Sequence, residues 1–104
     1  MKLFYIAPMK LVAELKHVGY HWIDIGNEKV LLCVDWKDDF QEQEWANQTG
    51  VVSLPHPVFE HNTPLTDEHH AHLGAKFELK KGDNVHHVIN KATKHDPWMR
   101  LHVL

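Results

Sequence analysis

Residues 66 to 74, TDEHHAHLG, place three histidines and two carboxylates within nine positions. Imidazole nitrogens and carboxylate oxygens are ligand types for zinc and other transition metals, and two ligands on one helix must stand three or four residues apart to share a face. His69 and His72 meet that spacing, and His70 and His72 would share a face if the segment were extended. Asp67 and Glu68 add oxygen ligands, and His56, His61, His86, His87 or His95 could complete a set from a distance. A zinc or nickel site centred on His69, His70 and His72 is thus one candidate chemistry. Against it, the chain has neither HExxH nor a paired CxxC, and a solvated helix exposing His, Asp and Glu explains the same residues without a metal.

Other chemistries find fewer residues. Ser53 is the only serine and no GxSxG elbow surrounds it. Cys33, the only thiol, lies inside the apolar run VLLCVDW, where cysteine behaves as a small buried hydrophobe. Serine and cysteine hydrolases are therefore disfavoured. Five scattered glycines form neither GxGxxG nor GxxxxGK[ST], so no phosphate cradle is present. Ten lysines and a single arginine, Arg100, form no basic run, which argues against nucleic acid as a partner. Acid-base chemistry needs only a His or carboxylate with an altered pKa. Asp24 and Asp35, on neighbouring expected strands, would raise one another's pKa if they faced each other. His21 alternates with Ile23 and Ile25 and is expected as a half-buried, hydrogen-bonded imidazole; His86 and His87 fall off an apolar stripe and are expected at the surface.

Four tryptophans, Trp22, Trp36, Trp45 and Trp98, are many for 104 residues. Trp anchors protein interfaces, so these four are the candidate interaction residues; the competing role is to fill a small core.

The elements that must position these groups follow from periodicity. LFYIA, residues 3 to 7, has strand composition, and Pro8 suits the first turn of a helix over residues 9 to 18, with apolar Leu11, Val12, Leu15 and Val18 and a closing Gly19. YHWIDI (20 to 25) and KVLLCVDW (29 to 36) read as a hairpin turning at Gly26-Asn27, and the unbroken apolar stretch 30 to 34 marks a central strand buried on both faces. Asp38 or Asp39 can cap a helix to about residue 48, with Gln41 and Glu42 placed for a capping box and Gly50 ending it before VVSL, 51 to 54. Pro55, Pro57 and Pro64 bracket an extended connector. Thr63 or Thr66 caps a short helix to about Leu73 closed by Gly74, KFELK (76 to 80) alternates like a strand, and Asp83 caps a helix whose stripe is Val85, Val88, Ile89 and Ala92. Asp96-Pro97 opens a last turn carrying Trp98, Met99 and Leu101.

The expected fold class is α+β: a split β-α-β, ferredoxin-like antiparallel sheet in residues 1–55, a Pro-rich connector at 56–64, and a mostly helical half, 65–104, packed on it as one domain. Apolar residues are 43% and charged residues 24%, ordinary values for a globular protein. The first 55 residues carry five lysines against eight carboxylates, and the remainder six basic residues against six. No apolar run approaches the roughly 20 residues of a membrane span, and Pro8 and Lys10 interrupt the apolar N-terminus, so a non-exported, cytoplasmic chain is expected. The function that fits is a small non-catalytic protein-binding or assembly module, acting on a protein partner or on itself. The alternatives are a transition-metal-binding protein and a small acid-base enzyme.

Overall fold

The computed structural model describes residues 2–15, 18–55 and 63–97. Their order is β1 (Lys2–Pro8), a short 3-10 helix (Met9–Glu14), β2 (Gly19–Gly26), β3 (Lys29–Asp35), α1 (Asp39–Thr49), β4 (Val52–Ser53), α2 (Asp67–Phe77) and α3 (Val85–His95). The class is α+β, with one four-stranded antiparallel sheet in the order β2-β3-β1-β4.

β3 lies between β2 and β1, and residues 30 to 34 are all fully buried. Alternation along a strand sends Leu31 and Cys33 to one face and Val30, Leu32 and Val34 to the other. Each face must then be covered by apolar side chains. On the first, Phe4, Ile6 and Ile23 pack with Leu73 and Phe77 of α2 and Val85, Val88 and Ala92 of α3. On the second, Tyr5 and Ala7 pack with Val12 and Leu15 and with Trp36, and Trp45 of α1 lies against them.

Several elements depart from their sequence expectation. The helix expected over residues 9 to 18 is a 3-10 turn ending at Glu14, and Gly19 opens β2 instead of closing a helix. The apolar stripe is still satisfied: Val12 and Leu15, three apart and therefore eclipsed in 3-10 geometry, are both buried, and Leu11 and Val18 are partly so. The hairpin turns at Asn27-Glu28, not Gly26-Asn27. Both turn residues have positive φ, 55° and 60°, as a type I′ turn requires, and Gly26 at 89° takes up a register shift next to it.

α2 does not stop at Gly74 but runs three residues further, and residues 76 to 80 form no strand. A helical glycine costs about 1 kcal/mol, whereas burying a phenylalanine gains about 1.5–3 kcal/mol. Leu73 and Phe77 stand four apart on the buried face, so burial of Phe77 carries the helix through Gly74. Glu78 then ends it in the left-handed region, φ 52°. α3 is capped by Asn84, not Asp83; Asp83 instead accepts a hydrogen bond from the Lys80 amide at 2.8 Å. That bond holds the Asp83 carboxyl below its ordinary pKa. Asp38 does cap α1, accepting from Gln41 N at 2.7 Å, but Gln41 Oε1 bonds Lys37 N, so the expected reciprocal box is not closed. The connector between 56 and 62, Trp98, Met99 and Leu101 lie outside the described residues.

Glu28 sits where a type I′ turn favours glycine, and a left-handed L-residue costs about 1–2 kcal/mol. Glu28→Gly should therefore raise stability by about 0.5–1 kcal/mol after allowing for the entropy glycine adds to the unfolded chain. Thermal denaturation checks this; an unchanged or lower Tm would mean that the Glu28 side chain supports the turn.

Candidate functional site

α2 begins at a cap that explains where the histidines of TDEHHAHLG go. Thr66 Oγ1 accepts from the His69 amide at 3.2 Å, and His69 Nδ1 accepts from the Thr66 amide at 3.1 Å. This is a capping box with imidazole in the place usually held by Glu or Gln. A nitrogen that accepts carries no proton, so the His69 proton is on Nε2, which donates to the Ser53 carbonyl at 3.1 Å. The ring, with the residue only 6% exposed, is engaged at both nitrogens. His72 and His70 are half-buried one turn on or next to it, but His69 has no lone pair left for a metal. Among the described residues no group of three or more His, Cys, Asp or Glu is placed to hold a metal ion, and His56 and His61 lie outside them.

The same device recurs at α3, where Asn84 is the N-cap and His87 Nδ1 accepts from the Asn84 amide at 3.1 Å. His87 and His86 are exposed, and His87 has a local capping role that its position off the apolar stripe does not suggest. The signal was available: Thr66-x-x-His69 and Asn84-x-x-His87 repeat capping-box spacing, with an imidazole nitrogen able to do the work of a carboxylate oxygen.

Ser53 O faces away from the sheet. Leu54 N donates inward to Phe4 O at 2.9 Å, and alternation turns the preceding carbonyl outward. His69 therefore closes the outer side of the short edge strand β4. At the opposite edge, β2 is eight residues long, and among the described residues no strand pairs with its outer side.

The tryptophans divide between two roles. Trp36 is buried and its Nε1 donates to the Tyr5 hydroxyl at 2.8 Å; that hydroxyl donates to Glu42 Oε1, also at 2.8 Å. Trp45 lies 5.1 Å from Tyr5 and 5.4 Å from Trp36 between ring centroids. Burial, reinforced by the bond to Glu42, pushes the Tyr5 hydroxyl well above its ordinary pKa and keeps it a donor. Tyr5, Trp36 and Glu42 thereby fasten α1 to the sheet, although α1 buries no residue completely. The Trp45 indole N–H is buried with no hydrogen-bond partner among the described residues. Trp22, in the middle of β2, is 39% exposed, and Phe40 on α1 is 76% exposed. Trp98 lies outside the described residues.

Asp24 and Asp35 do not face each other: Asp24 pairs with Val30 and Asp35 with Gly19, at opposite ends of the hairpin. The Asp24 carboxylate accepts from Gly26 N at 2.8 Å. His21 instead meets a carboxylate from far along the chain, with Nε2 2.5 Å from Asp96 Oδ2 and both side chains about one quarter exposed. The pair clasps β2 to the end of α3. Cys33 is fully buried in β3, and burial pushes its thiol up to about 12.

No family model, no curated protein and no solved structure matches this chain.

Two outcomes check the site. His69→Ala should destabilise the fold by about 2–3 kcal/mol in urea unfolding, since it removes a cap and leaves a shielded carbonyl unpaired. His69→Gln should recover part of the loss, because an amide oxygen can restore the box without reaching Ser53. Imidazole nitrogen shifts showing the proton on Nδ1 would contradict the assigned geometry. Separately, Cys33 is fully buried and burial pushes its thiol up to about 12, so a thiol reagent should label the native protein only as fast as it unfolds. Rapid labelling of the folded chain would refute its burial.

Proposed function

We propose that this chain is a non-catalytic protein-binding or assembly module that works through the outer edge of β2. The supporting observation is the asymmetry of the sheet. β4 offers two residues and its outward carbonyl is tied by His69, whereas β2 offers eight residues with Trp22 exposed at the middle. An edge strand presents alternating N–H and C=O groups that pair with any added strand, and proteins that do not use such an edge shorten it, charge it or cover it. β2 carries a single carboxylate, Asp24, and its register shift lies at the end next to the turn, leaving residues 19 to 23 regular. A large exposed indole beside backbone groups that no described strand pairs suits a strand supplied by a partner or by a second copy.

We also read residues 2–54 as a ferredoxin-like split β-α-β arrangement with its first crossover reduced to the 3-10 turn. Support comes from the strand order, in which β3 separates β1 from β2 and β1 separates β3 from β4. A cytoplasmic location fits the one buried, high-pKa thiol, which needs no oxidising compartment.

Sedimentation equilibrium over a wide concentration range tests the edge. Trp22→Lys places a charge that blocks edge pairing, and it should abolish self-association, or capture of a partner strand, with Tm nearly unchanged. A wild-type chain that stays monomeric and captures nothing that Trp22→Lys fails to capture would end the proposal.

A further inference from the structure

Hydrogen bonding on the far side of β3 fixes which backbone groups of β2 face outward. The Met9 amide donates to the Glu28 carbonyl at 2.9 Å, so Ala7 with Val30 is the next hydrogen-bonded pair of the ladder and Tyr5 with Leu32 the one after. The bond from Leu54 N to Phe4 O, also 2.9 Å, agrees, because it turns Phe4 toward β4 and leaves Tyr5 facing β3. Backbone groups alternate sides along a strand. Val30 and Leu32 thus face β1, while Leu31 and Cys33 face β2, where they meet Ile23 and His21. Tyr20, Trp22 and Asp24 therefore turn their N–H and C=O groups to the outer edge, on which no described strand lies. Their side chains share one face of the sheet, and both Trp22 and Asp24 are exposed there.

Building on the β2 edge as the binding surface, we propose that the strand added there is β2 of a second copy, antiparallel about a two-fold axis at Trp22. Outward residues exchange bonds only with outward residues, so the register can change only in steps of two. With Trp22 opposite Trp22, Tyr20 stands opposite Asp24 on both sides of the axis, and every outward residue of each copy is paired. A step one way carries Asp24 opposite Val18, which precedes the strand. A step the other way carries Tyr20 opposite Gly26, beyond the register shift. The centred register also suits the side chains. Asp24, the single carboxylate of the strand, meets a tyrosine and not its own copy, so no like charges are opposed. The exposed indoles meet at the axis, and on the other face His21, held by Asp96, lies opposite Ile23. One sequence thus supplies both halves of a self-complementary contact, as a two-fold dimer requires. Growth stops at two copies, because the far edge of each sheet is the two-residue β4 with its outward carbonyl tied by His69.

Sedimentation equilibrium of the wild-type chain should show a dimer and nothing larger. In a mixture of isotope-labelled and unlabelled protein, filtered nuclear Overhauser spectra should connect the His21 Hα of one copy to the Ile23 Hα of the other, the closely spaced pair between the bonded ones. Trp22→Lys and Trp22→Glu each set like charges opposite one another at the axis, so either variant alone should be a folded monomer. Mixing the two sets opposite charges there and should restore association, about fivefold or more tighter than either variant alone. Self-pairing in this register is overturned by a dimer lacking the His21–Ile23 contact, or by variants whose mixture associates no better than each alone. A wild-type monomer that still captures a foreign strand, and loses it in Trp22→Lys, overturns self-pairing but leaves the β2 edge as a binding surface. A dimer indifferent to both variants overturns the edge as well.

Discussion

Burial of β3 on both faces is the constraint on which the rest of the structure depends. Five consecutive apolar residues, Val30, Leu31, Leu32, Cys33 and Val34, alternate across the sheet, and each leaves water only if an element covers its face. One layer of helix can cover one face only. The chain meets the requirement with two different kinds of cover, α2 and α3 on one side and the 3-10 turn with α1 on the other. Full burial of such side chains contributes about 1.5–3 kcal/mol each, and five of them stand in a row. This explains why a helix passes through Gly74 and why a short turn suffices where a longer helix was expected.

Polar side chains then decide how the layers are held. On the α1 side, burial of Tyr5 forces its hydroxyl to find partners, and Trp36 and Glu42 supply a donor and an acceptor. On the α2 side, His69 serves two backbone groups at once, a helix amide and an outward strand carbonyl. The first fastening matters most for α1, which buries no residue completely; α2 also packs Leu73 and Phe77 into the core. Closure of the β4 edge follows from the second fastening, and β2 remains as the long edge.

Much of this was legible in the amino-acid order, for reasons that can be named. β1, the β2-β3 pair, α1 and α3 are announced by periodicity or by caps, although the hairpin turn and the α3 cap each fall one residue later than their spacing suggests, and Asp38 and Gly50 bound α1 because capping depends on a few neighbouring residues. The central position of β3 was readable from its unbroken apolar run. Less legible were elements whose limits depend on a distant surface, such as the end of α2, where burial of Phe77 outweighs a helical glycine.

The candidate residues divide along the same line. By itself the sequence determined that serine, thiol and phosphate-cradle chemistries lack their residues, because those depend on residue type and local spacing. It also determined that Cys33 is buried, since its neighbours on both sides are apolar. Only the tertiary structure decided what the histidines and tryptophans do. His21 meets Asp96 across 75 positions, His69 reaches back 16 positions to Ser53, and Trp36 and Trp45 converge on Tyr5 while Trp22 stays at an edge. The physical reason is that an imidazole or an indole has no fixed role in a sequence: both carry apolar area and polar atoms, and the surface that happens to face them decides which of the two is used.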